Sequence, residues 1–318
     1  MLDKAKEYLK NQEQLLNAED RFACIGKDKE LSEGIARPSI GYWQDAWMRL
    51  RRNKVAMISI CVILLYVVLA LWGGNLTQYT YKGTDLHNTN LSPCTEHWFG
   101  TDTLGRDLWA RIWQGARVSL LIGLVAAVMQ LTLGVLIGGI AGYFGGVVDL
   151  VVMRVTEIMD AIPFLILVIL VMMVFGSGIV PLIIAFAITG WISMARLIRG
   201  QVLQLKNQEF MLAARSMGAG SMKVIFKHLM PNMVGVLIVT LTLKIPQAIF
   251  SEAFLSYIGI GVTPPQTSWG QLANLGSQVM SVHPYQLLIP AFFISTMMLA
   301  LQLLGDGLRD ALDPKLRK

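Results

Sequence analysis

The chain has 318 residues, 54% of them hydrophobic and only 15% charged, with a net charge of +6. A soluble domain carries about 25% charged residues, and the apolar residues here fall in long blocks that no water-soluble core needs. The expected fold class is therefore an all-α integral membrane protein, and no nucleic-acid partner is expected.

Residues 1–40 are polar and charged. They read as a cytoplasmic N-terminal tail, helical around Lys4–Leu16, and lack the apolar core of a cleavable signal peptide. Trp43, Ala46, Trp47 and Leu50 then share one helical face beside a basic run. That suits either a helix lying in the inner interface or a simple positive anchor for the first span. Six blocks are long enough to cross a bilayer, which takes about 20 apolar residues: roughly 55–72, 118–141, 152–175, 179–200, 232–256 and 286–305. The chain thus divides into the tail, a segment 41–117 (interfacial helix, first span and outer loop), a five-span core 118–305 and a C-terminal tail 306–318.

Lys and Arg set the orientation. Arg49, Arg51, Arg52 and Lys54 precede the first span. Arg196, Arg199, Lys206, Arg215, Lys223 and Lys227 lie between the fourth and fifth, and Arg309, Lys315, Arg317 and Lys318 end the chain. Both termini and the loop at about 205–231 are placed in the cytoplasm. The outer loop at 73–117 dissents with Lys82, Arg106, Arg111 and Arg117, but acids accompany them.

Along the spans, Gly134, Gly138, Gly142 and Gly146 recur every four residues and predict a close helix–helix approach. Arg154, Glu157 and Asp160 lie a turn apart at the start of the third span. An interfacial salt-bridge ladder is preferred there over a proton path. Lys244 and Glu252 fall inside the fifth span around Pro246. They are either the lining of a solute path or polar anchors to a neighbouring subunit.

The most distinctive polar stretch runs from Glu209-Phe210-Met211-Leu212-Ala213-Ala214-Arg215-Ser216-Met217-Gly218-Ala219-Gly220 to His228-Leu229-Met230-Pro231-Asn232. Phe210, Ala214 and Met217 share one helical face, and Met222, Ile225, Phe226 and Leu229 share another. Gly218 and Gly220 permit a tight turn, and Pro231 is expected to stop the second helix. The result is a basic helical hairpin just outside the membrane.

Three further segments punctuate the chain. His97 to Asp107 reads as a turn into an outer interfacial helix carrying Leu108, Trp109, Ile112 and Trp113, with Asp107 and Arg111 spaced for an i,i+4 pair. Gly259 to Gly270 is a Gly/Pro turn with Trp269 suited to the membrane boundary. Gly305-Asp306-Gly307 is expected to break the last span. The cysteines, Cys24, Cys61 and Cys94, have no metal-type spacing, and neither phosphate-loop nor hydrolase motifs occur.

The hairpin, with Ala213, Ala214, Gly218 and Pro231 in frame, resembles the coupling loop of ABC-importer permeases. It departs from the family pattern at Leu212, usually Glu, and at His228, usually hydrophobic. Together with the three punctuating segments it resembles the dipeptide/oligopeptide/nickel branch, and most nearly the C-type subunit of oligopeptide importers, from about residue 40 onward. The resemblance implies a type I importer permease fold with six transmembrane helices, in the inner or plasma membrane, forming half of a heterodimeric pore with a sister permease. It implies two cytoplasmic ATP-binding subunits that carry ATP and Mg, an extracytoplasmic peptide-binding protein, and no cofactor or catalysis on this chain. It assigns ATPase contact to Phe210, Ala213, Ala214, Arg215, Gly218 and Pro231, and receptor contact to Asp102, Arg106, Asp107, Pro264, Pro265 and Trp269. Nickel or another small solute, a proton-coupled secondary transporter and a membrane scaffold remain as alternatives.

Overall fold

The computed structural model describes residues 41–218 and 220–313. The tail expected over 1–40, with Cys24, Ala219, and the chain from Pro314 lie outside the described residues. Residues 46–313 belong to one compact unit. Among the described residues the architecture is helical, and the extended pairing is an isolated bridge between Thr101 and Asp107.

Helix α1 (Tyr42–Arg52) turns Ala46 and Leu50 inward and leaves Trp47 exposed. Asn53 then caps α2 (Lys54–Trp72), its side chain accepting from the Ala56 amide at 3.1 Å. After the outer loop comes α3 (Leu108–Phe144), a helix of 37 residues. At 1.5 Å per residue it is roughly 55 Å long, well beyond the ~30 Å hydrocarbon layer. The outer interfacial helix expected before the second span is thus the first turns of the span itself. Leu108, Ile112 and Trp113 are buried in the protein rather than laid on the bilayer.

The third span is not one helix. α4 (Gly146–Asp160) and α5 (Phe164–Phe175) meet at an 82° bend. Pro163 has no N–H to continue the ladder and drives Ile162 away from helical angles. α6 (Ile179–Thr189) and α7 (Trp191–Leu205) together make the next crossing. α8 (Glu209–Ser216) and α9 (Ser221–Lys223) form the hairpin, α10 (Met230–Tyr257) and α12 (Tyr285–Leu312) are long spans, and α11 (Trp269–Gln278) is a short helix between them. Five helical segments are long and apolar enough to cross a membrane, or six if the bent pair counts as one.

The helix pair that organises these spans is α3 with α7. A Cβ added to Gly134 would lie 2.3 Å from Met194 Cβ, and one on Gly138 2.3 Å from the Ala195 carbonyl oxygen. At Gly142 it would meet Val202 Cβ at 2.9 Å. The fourth member of the series, Gly146, instead lies beyond the helix end at φ +53° with open space around it. Nor do Gly305 and Gly307 break the last span, since α12 runs through both to Leu312. They are contact glycines: a Cβ on Gly305 would meet Leu243 Cδ2 at 2.5 Å, and one on Gly307 would meet Ala56 Cβ at 2.5 Å.

Tyr66, Trp113, Trp269 and Phe293 pack, largely edge to face, into an aromatic core that joins α2, α3, α11 and α12. Trp269, expected at the membrane boundary, is fully buried because its indole Nε1 donates to the Ile112 carbonyl at 3.1 Å.

Gly138→Ala is expected to push α3 off α7 and to lower the thermal stability of the detergent-solubilised protein by roughly 1–3 kcal/mol. Gly139→Ala, where a Cβ meets nothing within 4 Å, should stay within about 0.5 kcal/mol. Equal melting of the two variants would remove the close-contact role of Gly138.

Candidate functional site

The hairpin is built on the C-terminal parts of α3 and α7. Met211, Val224, Ile225 and Leu229 bury against Ile198 and Val202, with Met233 of α10 closing the cluster. Met211 anchors α8, although a single Met inside an eight-residue helix carries no spacing signal in the sequence. Phe210, Ala213, Met217 and Gly218 are exposed, as are Lys223 and Lys227 of the second limb. Gly218 adopts φ +79° with open space where a side chain would stand, so the turn is set by backbone angle rather than by crowding. The side chains of Ala214 and Arg215 lie outside the described residues.

Pro231 does not end the second limb. From Ser221 the helix widens into a π turn over Val224–Leu229 and continues without a break as α10. The Met230 amide reaches back five residues to the Ile225 carbonyl. Proline donates no hydrogen bond and crowds the carbonyl four residues earlier, here that of Lys227. A wider turn directly before it makes room for the ring. The hairpin's second limb and the fifth span are therefore one continuous helix.

Further along α10, Lys244 is half-buried and its Nζ donates to Ser193 Oγ of α7 at 3.0 Å. It lines a cleft of about 210 Å³ together with Gln130, Asp160, Thr189, Gln247 and Ser251. Asp160 is held at the rim by Arg196 at 2.8 Å, and Asp149 by a bidentate contact with Arg199, Nη2–Oδ2 2.6 Å. Of the ladder expected along one helix, Asp160 is instead crosslinked to α7, as is Asp149 outside it. Arg154–Glu157 at 2.8 Å is the member that stays on α4.

Glu252 has a different setting. It is 0% exposed. Its carboxylate accepts from Ser119 Oγ at 2.7 Å and from Ser256 Oγ at 2.8 Å. Ser256 Oγ in turn accepts from the Val262 amide at 3.0 Å, and Ser119 Oγ from the Trp269 amide at 3.3 Å. Glu252 therefore knots α3, α10 and the 258–268 loop together. It neither reaches outer water nor lines the cleft of Lys244, so the two residues paired by the sequence are separated by the structure.

The residues expected to meet a receptor also divide. Pro264 and Pro265 are exposed, while Asp102, Asp107 and Trp269 are buried and Arg106 is half-buried. Asp107 caps α3, accepting from the Ala110 amide at 2.8 Å, and its other oxygen lies 2.8 Å from His97 Nδ1. Arg111 pairs with Asp102 rather than with Asp107, whose carboxylate is already committed to the cap. Asp102 also holds Arg106 Nε at 2.7 Å and the Leu104 and Arg106 amides, each at 2.9 Å.

With this geometry in place, the comparisons with known proteins are specific. A family profile described as the binding-protein-dependent transport system inner membrane component matches residues 134–318. The chain belongs to this family. A second profile, the N-terminal TM domain of oligopeptide transport permease C, matches residues 41–93. The oligopeptide transport system permease protein OppC of Bacillus subtilis (strain 168) is 48% identical over 287 residues, covering 90% of this chain and 94% of that protein. The dipeptide transport system permease protein DppC of the same organism is 46% identical over 301 residues, 94% of each chain. OppC of Escherichia coli (strain K12) is 38% identical over 289 residues, 90% of this chain and 96% of that protein. Among solved structures, an inward-facing conformation of the MetNI methionine ABC transporter superposes with a TM-score of 0.53 and 19% identity, over 64% of this chain and 96% of that chain. That likeness establishes the type I importer permease fold. This permease is accordingly a multi-pass membrane component of a transport system and not an enzyme.

Asp102→Ala leaves the Arg111 guanidinium, 2% exposed, without a counter-charge. The permease is expected to lose about 3–5 kcal/mol of stability, read as thermal aggregation in detergent. Glu157→Gln, in a pair 72% and 56% exposed, should cost under about 1 kcal/mol. Similar melting of both variants would mean that the outer-loop pair is not structural.

Proposed function

We propose that this permease is one half of the pore of an ATP-driven importer of oligopeptides or dipeptides. A sister permease supplies the other half, two cytoplasmic subunits bind ATP with Mg and hydrolyse it, and an extracytoplasmic binding protein delivers the solute. Both termini and the hairpin face the cytoplasm, in keeping with the basic residues at these places and the absence of Lys and Arg from 257–285. The peptide class is supported by relatives that carry those names at 46–48% identity along nearly the whole chain.

The observation that carries the coupling mechanism is the unbroken helix from Ser221 to Tyr257. An ATPase pressing on the exposed Phe210, Ala213 and Gly218 edge moves Met211 and the buried cluster beneath it. That cluster includes the root of α10, and α10 carries Lys244 along the cleft wall. Conformational work done in the cytoplasm is thus passed to the membrane interior along one continuous helical run that includes the π turn and Pro246. In the outer loops, exposed Pro264 and Pro265 are the sites assigned to receptor contact, whereas buried Asp102 and Asp107 shape the loop that surrounds them.

Gly218→Val tests this. A β-branched residue at φ +79° is strained, yet it projects into open space and leaves the membrane helices untouched. The variant should insert and purify normally but recover less of the ATPase subunits and lose most peptide uptake. Normal co-purification and uptake would remove the hairpin's assigned role.

A further inference from the structure

Lys244 is the side chain that the fold leaves least explained. It lies in the middle of α10, within a membrane-spanning segment, and no carboxylate among the described residues stands within ion-pair distance of it. Its one hydrogen-bond partner among the described residues is the neutral Ser193 hydroxyl at 3.0 Å. The nearby acid in the cleft, Asp160, is already paired with Arg196 at 2.8 Å. Among the described residues, Lys244 therefore has a neutral hydrogen-bond partner and no ion-pair partner. A charge inside a bilayer is costly and persists where it pairs with something or faces a wet path. The walls around it supply both donors and acceptors, through Gln130, Thr189, Ser193, Gln247 and Ser251. Gly190 supports this arrangement, because a Cβ there would strike Gln130 Cδ at 2.5 Å and push that amide aside.

We propose that Lys244 is a transient docking point for a carboxylate of the solute, foremost the C-terminal carboxylate of a peptide in transit. The assignment rests on the peptide-import reading given above. A free carboxylate satisfies the ammonium by a charge-assisted hydrogen bond, while Gln130, Gln247 and the hydroxyls accept and donate to the adjoining peptide unit. The site selects for a charge and not for a side chain, which suits a path that must pass varied sequences. Its neutral partner Ser193 keeps the ammonium aimed into the cleft without saturating it, so release costs less than it would from a closed ion pair.

The test uses the full complex with its sister permease, ATPases and binding protein, reconstituted in proteoliposomes. Uptake of a labelled tripeptide is compared with uptake of the same tripeptide carrying a C-terminal amide, each at a concentration saturating the binding protein. Wild type should favour the free acid by roughly tenfold, the effect of one charged hydrogen bond. Lys244→Gln should bring that ratio close to one, and Lys244→Arg should keep it. Because the readout is a ratio, reduced assembly of a variant does not change its meaning. A ratio near one in wild type, or a ratio unchanged in Lys244→Gln, overturns the proposal while leaving peptide import intact. An equal fall of both peptides in Lys244→Gln also overturns it and marks Lys244 as a contact to the sister subunit. Failure of the wild-type complex to take up any peptide overturns the import reading itself, and this assignment with it.

Discussion

The backbone contact between α3 and α7 governs the rest of the molecule. Gly134 and Gly138 let α7 approach so closely that Met194 and Ala195 fill the space where side chains would stand, and at Gly142 Val202 and the Arg199 carbonyl do the same. In a bilayer the hydrophobic effect gives no drive to bring two apolar helices together, so close van der Waals packing must supply it. Once α7 is seated, several features follow from its register. Ser193 faces Lys244 across the cleft. Arg196 and Arg199 reach Asp160 and Asp149 and hold the bent α4 in place. Ile198 and Val202 provide the floor on which the hairpin rests. One glycine stripe thus sets the wall of the cleft and the seat of the cytoplasmic contact.

Charges buried away from that stripe serve as fastenings. Glu252 is satisfied by hydroxyls, Asp102 by two guanidinium groups and Asp107 by a helix terminus. Glu252 joins segments far apart in sequence, while Asp102 and Asp107 fasten the loop before α3 to the start of that helix, and all three hold the loops at 76–107 and 258–268 where regular structure is lacking. Lys244 is the contrast, an ionic side chain in a span with polar neighbours and, among the described residues, no acid committed to it.

How much of this could be read from the sequence depended on whether the signal was local. Span positions were legible because about 20 apolar residues in a row have few other uses. The glycine series was legible because its four-residue spacing marks one helix face. The hairpin showed itself through Gly218 and the face periodicity on either side. What failed was the meaning of Pro231, Gly305 and Gly307. Proline and glycine signal helix ends when taken alone. Here a π turn accommodates the proline, and neighbours some sixty and two hundred and fifty residues away, Leu243 and Ala56, require the glycines. The same limit explains Asp107 and Arg111. Their i,i+4 spacing was correct, but the cap on one and the distant Asp102 beside the other decided the pairing. Ser193, Gln247 and Ser251 escaped notice because a lone polar residue in an apolar helix reveals its neighbour only once the helices are packed.

The joint at Val224–Leu229 has a geometric consequence. From Ser221 to Tyr257 the chain is one continuous helical run, with a π turn over Val224–Leu229 and Pro246 inside it, about 55 Å long at the usual helical rise. A tilt of about 5° at its cytoplasmic foot would carry the far tip roughly 5 Å sideways at that length. The tip is not free, because Glu252 and Ser256 fasten it to α3 and to the outer loop. A rod pinned near its tip and pushed at its foot pivots about the pin, so the greatest sweep falls on the inner half of the cleft and the least on the outer mouth. Movement of this helix is therefore greatest at the hairpin end and least beside Glu252, where the 258–268 loop is fastened.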